Sequence, residues 1–258
     1  DIRMAGFKYY LGTNSLNYPE ETYLQILDTS RIEDSHAPIV IQEGLDHVSF
    51  VETGTPHVTK DTKNNPLDIC CDKIHIVFDD FDQTDPLQPY KRYKTTYYAR
   101  PTDDGTDAQG ASINPRYAIY KSKISWSQPR ASETGSWPAT GEWIGQQQGC
   151  QECYHEQLIR DYVEDIEFIA LDRNGKRLLP LPDPTTVAGR NNLYKIRSVD
   201  IKLSFRSEKD FFRLETRDGQ PRKVLGFSRT KEDYNDRYLR DSVVVTVYTR
   251  NIVDEGLF

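Results

Sequence analysis

No stretch of this sequence approaches the ~20 consecutive apolar residues that span a bilayer as a helix, and no secretory leader is visible. The five histidines, His36, His47, His57, His75 and His155, show no His-Glu-x-x-His spacing. There is no Gly-x-Ser-x-Gly elbow and no phosphate-cradling glycine run. These absences leave nothing that assembles a reaction, and the chain is not expected to be an enzyme. An excess of basic residues is also missing. With 33 Lys and Arg against 40 Asp and Glu, the net charge of −7 repels a phosphate backbone. Nucleic acid is therefore not an expected partner. The densest basic stretch, Tyr90-Lys91-Arg92-Tyr93-Lys94, reads as a solvated strand edge on which Lys discourages further pairing.

Methionine occurs once, against many Val, Ile, Tyr and Thr, a balance that favours strands. The 16 Tyr, 10 Phe and 3 Trp exclude a disordered chain. At 258 residues the sequence is long enough for one elaborated domain with a sizeable core, here taken as 1–258. Asp1 opens the chain without an initiator Met, in a segment that looks like the tail of something longer, so a removed N-terminal segment is expected.

Four cysteines stand as Cys70-Cys71 and Cys150-x-x-Cys153, which allows three connectivities. A bond between adjacent cysteines is strained, so bridges between the two pairs are favoured; each would close a loop of roughly 80 residues and stabilise by ~4 kcal/mol. Such bridges imply an oxidising compartment. A zinc site fits less well, because Cys70-Cys71 lacks the spacing that tetrahedral ligands need. Asp103-Asp104-Gly105-Thr106-Asp107 offers calcium a glycine turn and the carboxylates of Asp103, Asp104 and Asp107. Asp79-Asp80-Phe81-Asp82-x-x-Asp85 is a second acidic turn. Neither completes an EF-hand, and a solvated acidic turn is the simpler reading of both. Trp126, Trp137 and Trp143 lie in a Ser-, Pro- and Gly-rich stretch. They read either as plugs of the sheet or as platforms of an adhesive or carbohydrate-binding β module.

The strand pattern strengthens along the chain. Residues 1–12 carry Ile2, Met4, Ala5 and Phe7 and read as the last turns of a helix ending near Gly6 or Gly12. Lys73 to Asp79 alternates as a strand, with His75 facing outward. Residues 79–153 read as an elaborated insertion of loops and short strands, with Thr96–Ala99, Tyr117–Tyr120 and Lys123–Trp126 as candidates. In 158–258, Leu158 to Leu171 runs into Asp172-Arg173-Asn174-Gly175, a strong hairpin signal. Tyr194 to Arg206 then alternates with period two. Ile196, Leu203 and Phe205 point to a core, while Lys195, Arg197, Lys202 and Arg206 point to water. Asp241 to Asn251 closes the set, and these elements are expected to form the spine of an antiparallel sheet.

The string Asp1-Ile2-Arg3-Met4-Ala5-Gly6-Phe7 resembles the signature that ends the long N-terminal helix of PilW-like type IV minor pilins. Downstream, Asp72-Lys73-Ile74-His75-Ile76 resembles that family's first central strand. Val163-Glu164-Asp165-Ile166-Glu167-Phe168 with Leu171-Asp172-Arg173-Asn174-Gly175 resembles its later hairpin. Ile196-Arg197-Ser198-Val199-Asp200-Ile201 with Leu203, and Tyr238-Leu239-Arg240 into Val243 to Asn251, resemble its last two strands. The resemblance implies an α+β, β-rich pilin-like head: the remnant of an N-terminal helix packed on an antiparallel sheet, with additional strands and long loops. It implies a structural subunit anchored in the inner membrane with a periplasmic head before assembly, and carried afterwards to an extracellular pilus tip. Its partners would be other minor pilins, the major pilin and a large tip adhesin. Met4, Phe7, Trp137 and Trp143 are the partner-contact candidates, and no cofactor is expected apart from the calcium candidates. A related pseudopilin of type II secretion, of the GspJ kind, is the nearest alternative.

Overall fold

The computed structural model describes residues 1–5, 38–42, 51–52, 55–56, 71–81, 90–105, 108–110, 116–127, 142–182, 187–193, 195–209, 222–224, 232–234 and 238–249. In chain order the strands are β1 (Ile39–Gln42), β2 (Val51–Glu52), β3 (Thr55–Pro56), β4 (Lys73–Phe81), β5 (Tyr90–Thr102), β6 (Arg116–Ser127), β7 (Glu142–Ile144) and β8 (Tyr154–Leu171). A short helix, α1 (Val187–Leu193), precedes β9 (Ser198–Arg206), β10 (Arg222–Val224), β11 (Glu232–Tyr234) and β12 (Arg240–Tyr248).

The main sheet runs β1-β4-β5-β6-β8-β9-β12, and each of its pairings is antiparallel. Apart from the two small hairpins β2-β3 and β10-β11, the chain lays its strands down in the order in which they neighbour one another. β7 and β8 share one edge of β6: Trp143 lies opposite Trp126, and Gln157 opposite Lys121. Strand alternation makes the inner face. Ile74, Ile76 and Phe78 of β4 join Tyr93 and Ala99 of β5, Ile119 of β6, Ile166, Phe168 and Ala170 of β8 and Val199 of β9 in one apolar cluster. Each fully buried Ile or Val among them contributes about 1.5–3 kcal/mol.

The sheet curls until its early and late strands meet. Asp72, just before β4, donates its backbone N–H to the Ile166 carbonyl at 2.8 Å, and its carboxylate accepts the Phe168 N–H at 2.9 Å. This links β4 to the half of β8 that extends past the end of β6. The hairpin after β8 forms where Asn-Gly predicts it. Gly175 takes φ 72°, a left-handed conformation that costs glycine nothing, and the Asp172 carboxylate accepts the N–H groups of Asn174 and Lys176, both at 2.8 Å.

The α+β expectation is overturned. Among the described residues the chain is a curled antiparallel sheet, and no long N-terminal helix lies packed on it. Ile2–Met4 makes a single 3-10 turn, and the backbone leaves helical geometry at Ala5 with φ −51° and ψ 124°. α1 is seven residues long and contributes Leu193 to the core. The physical reason is the curl, because side chains from β1, β4, β5, β6, β8 and β9 fill the concave side that a helix would otherwise cover. The N-terminal turn touches both β4 and β12 and adds Ile2 and Ala5 to that filling.

Other local expectations also change. His75, read as outward, is 6% exposed, with its Nδ1 2.8 Å from the Thr96 hydroxyl. Lys202, assigned to water, is 4% exposed and lies opposite Glu167, itself 2% exposed. Residues 79–153, set apart as loops and short strands, supply β5 and β6, of 13 and 12 residues, in the middle of the sheet.

Candidate functional site

The concave side carries a row of lysines and tyrosines that the register of β5 and β6 brings together. Tyr97 lies directly opposite Lys121, and Thr95 opposite Lys123, with Tyr93 one step further along the same face. The Lys123 ammonium sits 3.9 Å from the centre of the Tyr93 ring. The Lys121 ammonium lies 5.6 Å from the Tyr97 ring and 5.7 Å from the Tyr154 ring. All three spacings lie within the range of cation–π attraction, and the first is the closest.

Two carboxylates complete the row. The Tyr97 hydroxyl donates to Asp1 Oδ2 at 2.6 Å, and Lys121 Nζ meets the same oxygen at 2.7 Å. The Tyr93 hydroxyl donates to Glu152 Oε2 at 2.6 Å, and Lys123 Nζ lies 3.8 Å from it. Burial pushes the Tyr97 hydroxyl pKa up, opposed by the Lys121 charge. Burial opposes the Lys121 ammonium, but hydrogen bonds to Tyr154 and Tyr97 and their charges outweigh it and raise its pKa. Lys121 and the Tyr97 hydroxyl therefore stay protonated at neutral pH. Chemically the row holds two of the chain's own carboxylates through paired hydroxyl and ammonium donors.

Among the described residues, the pairing closest to a nucleophile beside a base is Thr96 with His75. Both are buried between neighbouring strands of the sheet.

The cysteines pair differently from the favoured pattern. Cys150 bonds to Cys153, with Cα atoms 5.3 Å apart, and closes the short loop that carries Glu152. Cys71 is also disulfide-bonded, and neither Cys150 nor Cys153 is its partner. Cys70 lies outside the described residues. Bridging between the two pairs is thus replaced by closure within the second pair, because the chain turns back between β7 and β8 onto the same edge of β6.

The calcium candidates meet a cation supplied by the chain. Arg116 Nη1 bonds the Asp104 carboxylate at 2.7 Å, while its Nε and Nη2 hold Asp161 at 2.9 and 3.0 Å. The Asp103 carboxylate accepts the Gly105 N–H at 3.1 Å in a local turn. Asp107 and the second acidic turn beyond Phe81 lie outside the described residues, among which no group of three or more metal-ligating side chains occurs. Trp126 and Trp143 pack edge to face at 5.2 Å, with the Lys94 ammonium 4.9 Å from the Trp143 ring. Both rings are partly buried. Phe7 and Trp137 lie outside the described residues, and of Met4 only the backbone is described.

Sequence reading missed Tyr93, Tyr97, Lys121, Lys123 and Glu152. The available signal was the alternation of Lys with Tyr and Ser in Tyr117-Ala118-Ile119-Tyr120-Lys121-Ser122-Lys123, which places two lysines on one face. No helix of the described residues is long and apolar enough to cross a membrane. Comparison with protein-family models, with curated proteins and with solved structures finds no match to this chain.

Proposed function

We propose that this chain is a structural assembly subunit of the minor-pilin class, acting at a filament tip with neighbouring minor pilins, the major pilin and a tip adhesin. The fold differs from the α+β head of that class, so the reading rests on the ordered motifs and on how the first of them sits. The observation that carries it is the placement of Asp1–Ala5. Ile2 and Ala5 are buried in the core, and the Asp1 carboxylate is held by Tyr97 and Lys121.

That seating ties the start of the chain to the sheet through apolar burial and an ion pair at once. A segment entering there transmits force to β5 and β6 directly, which a filament subunit needs and an independent soluble module does not. The motifs around Ile74, Ile166 and Val199 supply core residues of β4, β8 and β9. The same reading places a membrane-anchored helix ahead of Asp1 and the head outside the inner membrane.

The test is deletion of the gene, with complementation by the wild-type form and by Ile2→Asp. Loss of surface filaments, restored by the wild type and not by the variant, is expected. Unchanged filaments in the deletion strain would overturn the reading. Loss of protein secretion with filaments intact would replace it by the type II pseudopilin alternative.

A further inference from the structure

The hairpin after β8 carries the one Asn-Gly step of the sequence, Asn174-Gly175. Both residues are exposed, and the space beside Gly175 is open, since a Cβ placed on it would meet nothing within 4 Å. Water and base therefore reach the Asn174 side-chain amide and the Gly175 backbone nitrogen together. The turn is also braced around that nitrogen. Gly175 donates its N–H to the Asp172 carbonyl at 3.0 Å. The Asp172 carboxylate accepts the N–H groups of Asn174 and Lys176, one on each side of it, both at 2.8 Å. Beyond the turn, the Asp172 N–H donates to the Lys176 carbonyl and the Leu178 N–H to the Ala170 carbonyl, both at 2.9 Å, and Leu178 packs against the core.

We propose that Asn174-Gly175 is a site of spontaneous deamidation and backbone isomerisation, and that Asp172 is the brake that sets its rate. The Gly175 nitrogen attacks Asn174 Cγ. Its proton leaves with the side-chain nitrogen as ammonia, and a cyclic imide closes between the two residues. Water, the only co-reactant, then opens the imide. Addition at the side-chain carbonyl gives aspartate, and addition at the backbone carbonyl gives isoaspartate; either product adds a negative charge to the net −7. Glycine permits the attack, because no Cβ shields its nitrogen. That nitrogen must first leave the Asp172 carbonyl and turn toward Cγ, so the reaction proceeds from a locally opened turn. The bond from the Lys176 N–H, with that from Asn174, holds the Asp172 carboxyl below its ordinary 3.8, and the brace is charged and in place at neutral pH. Isoaspartate lengthens the backbone between the two N–H groups that Asp172 holds. The converted turn then fails to satisfy both, and the return arm that carries Leu178 loosens. The site stands whether or not the chain serves a filament.

The experiment incubates wild type, Asp172→Ala and a peptide of residues 171–177 in mildly alkaline buffer. Peptide mapping by mass spectrometry follows deamidation at Asn174, and isoaspartyl methyltransferase labelling follows isomerisation. Wild type should convert at Asn174 more slowly than the peptide. Asp172→Ala should convert about threefold faster than wild type or more, because the open turn is more populated without the two bonds. Absence of conversion in wild type over a time that converts the peptide completely, a wild-type rate equal to that of the peptide, or equal rates in wild type and Asp172→Ala, overturns the proposal. Should Asp172→Ala lose its native circular dichroism, Asp172→Asn replaces it, since the amide keeps an acceptor oxygen while giving up the charge. An Asp172→Asn rate equal to wild type then overturns the proposal equally.

Discussion

Arg116 shows how single residues stabilise this sheet where its register breaks. The pairing of β6 with β8 shifts between Tyr117 and Ile119, and nearby Tyr162 takes φ 59°, a left-handed conformation that is strained for a bulky side chain. Arg116 compensates by gripping Asp161 with two bonds, reaching Asp104 with a third and lying 4.4 Å from the Tyr162 ring. Arg116→Ala is expected to cost about 1–3 kcal/mol, because it strands a carboxylate and releases the strained residue; urea denaturation checks this. The bond from Arg116 holds the Asp161 carboxyl below its ordinary value of 3.8. The folded state then binds fewer protons than the unfolded chain. The stabilisation is complete above that ordinary value and is lost as pH falls through the lower folded one. Asp161→Asn should flatten the acid side of the stability profile while leaving its neutral side parallel to wild type. A profile with an unchanged acid limb would exclude this role. In the β8 hairpin, Asp172→Ala removes the acceptor of two turn N–H groups and should lower the unfolding midpoint in the same urea titration.

At the scale of elements, β12 is the last strand of the sheet among the described residues. It pairs with β9 on one side, and Val243, Val244 and Val245 are 44%, 51% and 48% exposed. Val244→Lys should leave the unfolding midpoint within about 0.5 kcal/mol of wild type and reduce concentration-dependent self-association, since a lysine on an edge opposes further pairing. Light scattering against concentration measures the second effect; scattering that stays the same in the variant means that this edge does not drive association. The Cys150–Cys153 bridge spans three residues, so the double serine variant should lose roughly 2 kcal/mol, about half of what an 80-residue loop implies.

At the scale of the whole molecule, Asp72 joins β4 to the far half of β8 through two backbone-directed bonds, and the curl depends on that junction. Asp72→Ala should cost about 1–3 kcal/mol, because the Phe168 N–H is left buried without its acceptor. Amide exchange should rise together in β4 and in Ile166–Ala170, whereas a rise in β4 alone would argue against closure at this point.

Alternation of apolar residues was enough to mark β4 and β9 and the hairpin after Leu171, since each carries its own period or turn chemistry over consecutive residues. The long β5 and β6 were harder to read. Tyr, Lys and Thr occupy both of their faces, so no period separates inside from outside, and burial of Thr95, Thr96 and Tyr98 follows from neighbours distant in sequence. The same holds for the candidate site. Tyr93, Lys123 and Glu152 are individually ordinary, and they meet only because antiparallel pairing aligns β5 with β6 while the chain returns beside β6 after a disulfide-closed turn. Local chemistry in the sequence thus determined the strands with a clear period and the Asn-Gly turn. Tertiary structure alone decided the curl that displaces a packed helix, the pairing of the cysteines and the burial of His75 and Lys202, because each depends on which face of a strand is covered by residues far away in the chain.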